Sequence, residues 1–359
     1  MRKGTQLRVL HVVTYMGRGG LETMLMNYYR HIDRSGLQFD FLVHREQEAD
    51  YDREILSLGG RIHRLSRLNP LSPSYRRELD RFFSENRYSI VHSHLDCMSA
   101  IPLHYAEKNG VPVRIAHSHS SSQTKDLKYP VKLLYKRAIP RYANQLFACS
   151  KEAGEWMFGG REFTVLNNAI DPARYIWDPE TAKAVREEQN IPQDALVVGH
   201  VGRFAAPKNH GFILDVFSEL VKRQGKAVLM LVGDGELRGE IAEKANRLGL
   251  KDRVVFTGVR SDVPRLLQAM DVFLFPSVYE GLPVSVIEAQ AAGLPCLISD
   301  RVPPGCGITE LVKQIGLCEG AGAWADEILR AAGAVRRDRS AEIMQAGFDI
   351  RDNARWLED

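Results

Sequence analysis

The feature that most constrains this chain is an alternation. Short apolar runs of strand length recur along it, and each is followed by a helical pattern. In the first half the strand-like runs are Arg8–Thr14, Gln38–Val43, Ile62–Leu65, Ile90–His94, Val113–His117, Gln145–Cys149 and Thr164–Leu166, with helices such as Leu21–Ile32 and Ser74–Asn86 between them. The second half begins the series again with Leu196–Val201, Ala227–Val232, Val254–Thr257, Val272–Pro276 and Pro295–Ser299. Parallel strands need crossover connections, usually helical, so this order predicts α/β layers. Two consecutive sets predict two doubly wound domains and not one long sheet. The turn-rich stretch Asn168-Ala169-Ile170-Asp171-Pro172 marks the junction between them.

Size and composition agree with that expectation. A chain of 359 residues is too long for one ordinary core, and an apolar content of 44% is that of a soluble globular protein. Cys97, Cys149, Cys296, Cys306 and Cys318 are scattered without metal-ligand spacing and read as reduced thiols. The apolar run Leu7–Val13 is too short, and lacks the cleavage pattern, for a signal peptide. No apolar run approaches the roughly 20 residues that span a bilayer. The expected location is therefore cytoplasmic. Residues 1–150 hold 23 Lys/Arg against 14 Asp/Glu, a net +9, while the remainder holds 25 against 31, a net −6. A basic first half suits an anionic partner, such as nucleic acid or an acidic membrane leaflet, or is simply a surplus of solvated arginines.

The segment Tyr279-Glu280-Gly281-Leu282-Pro283-Val284-Ser285-Val286-Ile287-Glu288 carries the most chemistry. It follows a buried strand pattern and opens a short helix, with Pro283 just inside the start and Gly293 and Pro295 just past the end. Backbone N–H groups of Leu282, Val284 and Ser285 at that N-terminus attract anions. Glu280 and Glu288 flank them. Anion-binding amides between two carboxylates suit a ligand with phosphate in its middle and hydroxyls at both ends, such as a nucleotide-sugar.

Other strand-end loops add candidates. Arg203 and Lys208, after the first strand of the second half, place two cations where they can clamp a diphosphate. Gly233, Asp234 and Gly235 end the next strand, and Gly258, Val259 and Arg260 the one after. Gly17-Arg18-Gly19-Gly20-Leu21-Glu22 opens the first helix, but Glu22 stands where a dinucleotide fingerprint needs its third glycine. Strand alternation places His92 with His94, and His117 with His119, on shared faces. No carboxylate-rich pattern accompanies these pairs, so no metal is assigned to them.

Together these motifs, in this order along essentially the whole chain, resemble glycosyltransferase family 4, retaining enzymes of the GT-B fold, and in detail its bacterial exopolysaccharide and capsule members. The resemblance implies an α/β GT-B architecture, two Rossmann-like domains facing across a cleft. Residues 1–172 would bind acceptor and residues 173–344 the nucleotide-sugar, with the C-terminal helix, within 345–359, crossing back to the first domain. Ala169 stands where the family's Asn-Gly-Ile-Asp hinge has glycine. The resemblance further implies that Glu280 meets the donor sugar and Glu288 the ribose, with Gly281, Leu282, Pro283 and Val284 lining the donor. It assigns Arg203 and Lys208 to the leaving diphosphate, Gly233 and Asp234 to the donor, Val259 and Arg260 to the nucleobase, and Gly19 and Gly20 to the acceptor cleft. A histidine after the fifth strand lies beside the donor sugar in the family. Both His117 and His119 fit that position, with His119 preferred, and His92 and His94 read as structural or acceptor-facing.

The implied reaction is transfer of a hexosyl group from a nucleotide diphosphate sugar, expected to be a UDP-sugar, to a lipid-linked or glycan acceptor. No cofactor or metal is expected. Arg203 and Lys208 would stabilise the departing diphosphate while Glu280 and His119 hold the sugar. Lys125, Lys128, Lys132 and Lys136 form a basic stripe, with Leu127, Val131, Leu134 and Ala138 on another face. Such a helix can lie on an anionic leaflet at the inner face of the cell membrane. A sugar-nucleotide epimerase of the same architecture, or a non-catalytic nucleotide-sugar or nucleic-acid binder, are the rivals. No basic–aromatic interleaving of the kind that binds single strands is present, so nucleic acid is not expected.

Overall fold

The computed structural model describes residues 6–122 and 129–359. Two compact units emerge, Met1–Ala169 with Ile350–Asp359, and Ile170–Asp349.

The first unit carries β1 (Leu7–Val12), β2 (Leu37–Val43), β3 (Ile62–Arg64), β4 (Ile90–Ser93), β5 (Val113–Ser118), β6 (Gln145–Ala148) and β7 (Thr164–Val165) in one parallel sheet, ordered β3-β2-β1-β4-β5-β6-β7. The second carries β8 (Leu196–Val201), β9 (Ala227–Val232), β10 (Val254–Gly258), β11 (Val272–Phe275), β12 (Cys296–Ser299) and β13 (Val312–Ile315), ordered β10-β9-β8-β11-β12-β13 and also parallel. Both are doubly wound. The apolar runs became strands because a parallel sheet with helices on both faces buries both faces. Strand ends agree with the sequence expectation to within two residues, and β13 had no counterpart in it. Lys313 and Gln314 of β13 are exposed on the sheet edge, so the strand shows no apolar run.

In the first unit Tyr28, Tyr29, Phe39 and Phe41 form the core with Ile350 and Ala354 of the C-terminal helix Ile350–Glu358. That helix is tied to the helix Gly20–His31 and the turn after it. Tyr28 Oη lies 3.4 Å from Asn353 Oδ1, and Glu358 accepts from the Asp33 N–H at 2.5 Å. Ala169 is fully buried and is absent from the residues with positive φ, so the methyl group it carries in place of hydrogen meets no backbone strain. In the second unit Phe217, Leu229, Leu274 and Trp324 centre the core.

Half of the basic stripe falls within the described residues. Lys125 and Lys128 lie outside the described residues. Within the described residues the helix runs Tyr129–Tyr142. Lys136 lies over the Trp156 ring with Nζ 4.2 Å from its centre, while Val131 and Leu134 are exposed. Ile139 is the residue this helix buries. All five cysteines are free thiols, and only Cys318 is exposed.

Candidate functional site in two doubly wound units

In the second unit the strand order reverses between β8 and β11, and the carboxyl ends of two such strands are where an open α/β sheet takes its ligands. After β8 the chain makes one 3₁₀ turn, Ala206–Lys208, with Pro207 pre-set for it. Asn209 then adopts left-handed backbone, φ 56°, which asparagine tolerates better than most residues, and opens the helix His210–Arg223. Its Nδ2 donates to the Pro276 carbonyl at 3.2 Å, and the Val278 N–H donates to the Pro207 carbonyl at 2.8 Å. The loops after β8 and β11 are thereby stitched together.

That stitching brings Lys208 and Glu280 into contact. Lys208 Nζ is 2.7 Å from Glu280 Oε1 and 4.7 Å from the centre of the Phe275 ring. The two side chains retain only 21% and 13% of their exposure. Arg203, in the same loop, is well exposed and pairs with Glu236 at 3.0 Å. His210 is buried against the Phe204 ring, 4.1 Å between centres, and belongs to the packing.

Pro283 is the N-cap of the helix Val284–Ala291, one residue outside the start instead of just inside it. Glu288 sits one turn in and is buried, where it accepts a hydrogen bond from Tyr175 Oη at 2.7 Å. Burial raises its carboxyl above the usual range, partly countered by that hydrogen bond and by Arg174. Gly281, Leu282 and Val284 are buried beside it.

Gly233 and Gly235 are dictated by close approach. Both have positive φ, and a Cβ at either would meet a backbone carbonyl oxygen, of Gly202 at 2.2 Å or of Phe204 at 2.5 Å. Asp234 between them is exposed, and its carbonyl accepts from the Phe204 N–H at 3.0 Å. Val259 is exposed. Arg260 is held by Asp262 through two 2.8 Å contacts, which lower the Asp262 carboxyl to about 2.

In the first unit the order reverses between β1 and β4. The glycine loop follows β1. Gly19 is the N-cap of the first helix, and a Cβ there would lie 2.3 Å from Glu22 Oε2, so the glycine lets Glu22 fold back over the helix start. Beside this switch point five histidines converge. His11 Nδ1 is 3.0 Å from His94 Nε2, His94 Nδ1 is 2.9 Å from His119 Nε2, and His92 Nε2 is 3.1 Å from His117 Nδ1. The rings of His92 and His94 lie 4.2 Å apart and those of His117 and His119 4.0 Å. His11, His92, His94 and His117 are buried and His119 is part-exposed. Burial drives all five below the usual histidine range, His11 and His119 to about 3, so the rings are neutral. The His11–His92–His94 and His94–His117–His119 groups each bring one nitrogen per ring within 4.8 Å, closer than two separate pairs in the sequence suggested.

Asp96 accepts from the His119 N–H at 2.9 Å while itself at φ 47°, and burial lifts its carboxyl to about 6. Left-handed backbone at a residue that is not glycine is costly and collects at functional sites. Sequence reasoning missed His11, Asp96, Tyr175 and Asp262. The doubly wound order, which sets β1 beside β4, contained the signal for His11; Tyr175 had none.

The two doubly wound units define the architecture of a GT-B glycosyltransferase. Residues 18–174 match the family described as Glycosyltransferase Family 4, and residues 195–333 that described as Glycosyl transferases group 1. The chain is 39% identical to a protein of Bacillus subtilis (strain 168) carried under the glycosyltransferase name EpsF, across 97% of this chain and 94% of that one. It belongs to this family of glycosyltransferases. It is 25% identical, over 79% of each chain, to the capsular polysaccharide biosynthesis glycosyltransferase CapH of Staphylococcus aureus. It is 28% identical, over 62% of this chain and 60% of the other, to an Escherichia coli UDP-Gal:alpha-D-GlcNAc-diphosphoundecaprenol alpha-1,3-galactosyltransferase. Anabaena Alr3699/HepE, solved with UDP and glucose, superposes with a TM-score of 0.82 over 98% of both chains at 16% identity, which establishes the shared GT-B fold.

Proposed function

We propose that the chain transfers a hexosyl group, with retention, from a UDP-sugar to a lipid-linked or glycan acceptor in the biosynthesis of an extracellular polysaccharide. The observation that carries this reading is the Lys208–Glu280 pair at the β8/β11 switch point, with Arg203 in the same loop. A diphosphate leaving group needs positive charge as it departs. Arg203 and Lys208 supply it, and both can exchange a carboxylate partner for phosphate. Glu280 is then released to the sugar hydroxyls, Glu288 holds the ribose, and Val259 and Arg260 border the base. His119 is assigned to the sugar as well, and the acceptor hydroxyl attacks from the leaving group's side. The cations replace a metal ion in this scheme.

The names of the CapH and galactosyltransferase relatives, one for capsular polysaccharide biosynthesis and one for transfer to GlcNAc-diphosphoundecaprenol, support the acceptor class, and HepE's bound UDP-glucose supports the donor. No helix among the described residues is long and apolar enough to cross a membrane. A lipid-linked acceptor therefore calls for docking, through the cationic helix Tyr129–Tyr142 with its exposed Val131 and Leu134. The experiment is incubation with a panel of UDP-sugars and undecaprenyl-diphosphate-linked sugars, with the new linkage read by NMR. An α-linked product from an α-linked donor is expected. An epimerised donor without transfer, or binding without turnover, would refute the proposal.

A further inference from the structure

The histidine cluster does more than pack. A neutral imidazole has one donor and one acceptor nitrogen. His94 uses both, Nε2 toward His11 Nδ1 at 3.0 Å and Nδ1 toward His119 Nε2 at 2.9 Å. The chain His11–His94–His119 therefore has only two consistent states. If His11 carries its proton on Nδ1, His94 must accept at Nε2 and donate from Nδ1, and His119 must carry its own proton on Nδ1. If His119 carries its proton on Nε2, the other two do as well. A mixed state sets two N–H groups, or two bare nitrogens, against each other in a buried site, where an unmade hydrogen bond costs most.

We propose that His11 and His94 are positioning residues that lock the tautomer of His119, so that its remaining nitrogen, Nδ1, is either a full donor or a full acceptor toward the donor sugar. The ring arrangement supports this. His11 is held at the far end against Phe39, with ring centres 4.2 Å apart, and His94 is stacked on His92 at 4.2 Å. Neither ring can flip freely. The backbone end of His119 is held by Asp96 at 2.9 Å. His11 Nε2 has no partner among the described residues, so nothing else there dictates which nitrogen of His11 is protonated. The three tautomers are thus set together: to exchange one state for the other with all three rings neutral, a proton would have to enter or leave at His11 Nε2, where no described residue stands to exchange it, so the state adopted on folding is held.

The inference rests on His119 acting at the donor, and the test separates the two. Nitrogen-15 spectra of the histidine side chains, assigned with single variants, read tautomers directly and need no substrate. Equal tautomers at His11, His94 and His119 are expected; unequal ones would overturn the lock. His11→Phe should leave the fold intact, give His119 a mixed tautomer, and lower kcat for UDP-sugar cleavage about tenfold with little change in KM. His11→Asn, whose amide reaches the place of Nδ1, should restore most of the loss. A His11→Phe enzyme that keeps the His119 tautomer and its kcat would refute the positioning role. If His119→Ala leaves turnover unchanged while the tautomers still agree, the role of His119 at the donor fails and the lock stands. Retention of one equivalent of zinc, abolished by His94→Phe, would also overturn the lock, because a metal-bound nitrogen has no proton to pass.

Discussion

Replacing Lys208 with methionine separates the structural from the catalytic part of its pairing with Glu280. At 2.7 Å and an effective dielectric near 20, the gross attraction is roughly 6 kcal/mol. Desolvating two ions in a site this enclosed returns several kcal/mol of that, so the intact pair contributes little net stability. Removing one partner is different. Glu280, with 13% of its side chain exposed, is then left charged without Lys208, and the expected destabilisation is about 3 kcal/mol. Glu280→Gln should cost less, because Lys208 still lies over the Phe275 ring. The double variant Lys208→Met/Glu280→Gln should regain most of the lost stability in urea unfolding. It should not regain turnover. Loss of a preorganised cation at the leaving group costs roughly 100-fold or more, about 3 kcal/mol of barrier, in the single and double variants alike. UDP release from the donor measures this. A double variant no more stable than Lys208→Met would show that the pair is not a coupled unit. Unchanged turnover in Lys208→Met would remove the lysine from the mechanism.

The two glutamates should fail differently: Glu288→Ala weakens free UDP by roughly 1–3 kcal/mol in calorimetry, whereas Glu280→Ala leaves UDP affinity intact and lowers turnover, and equal losses would contradict the assignment. Tyr175→Phe should weaken UDP less than Glu288→Ala, since the carboxylate remains but loses its 2.7 Å donor; full UDP affinity in that variant would show the contact to be irrelevant to the site. Full activity is expected in excess EDTA, and a loss restored by manganese or magnesium would refute metal independence. Stability should fall as pH drops below about 6.5, because a histidine with a lowered folded pKa contributes stability that is present above the unfolded value and lost toward the folded one. His11, lowered to about 3, accounts for roughly 2 kcal/mol of loss by pH 5. Asp96, raised to about 6, works in the opposite direction, but five imidazoles outweigh it. Urea unfolding at pH 7.5 and 5.0 checks the sign. Acidic liposomes should bind the protein in low salt and release it on Lys132→Glu/Arg137→Glu, and unaltered sedimentation would remove the helix Tyr129–Tyr142 from membrane docking.

Features that depend on short-range pattern were legible along the chain. Alternating apolar runs and helical periods specified two parallel sheets, because a strand buried on both faces must be apolar throughout. Turn chemistry placed Gly233, Gly235 and Gly293 at strand and helix ends, and the tight loops there are what let Arg203, Lys208, Glu280 and Glu288 be picked out by type and spacing. Tertiary structure decided the partners. Lys208 and Glu280 lie 72 residues apart and meet because β8 and β11 are neighbours at the switch point. His11 and His94 are 83 apart and meet because β1 pairs with β4. Lys136 turns onto Trp156 instead of solvent, since its long stem packs well on an aromatic face. Edge strand β13, with exposed Lys313 and Gln314, left no apolar signature. Local pattern is set by which faces of each element must be buried. Partner choice is set by strand order, which brings distant strand ends together and which no single stretch of the chain encodes.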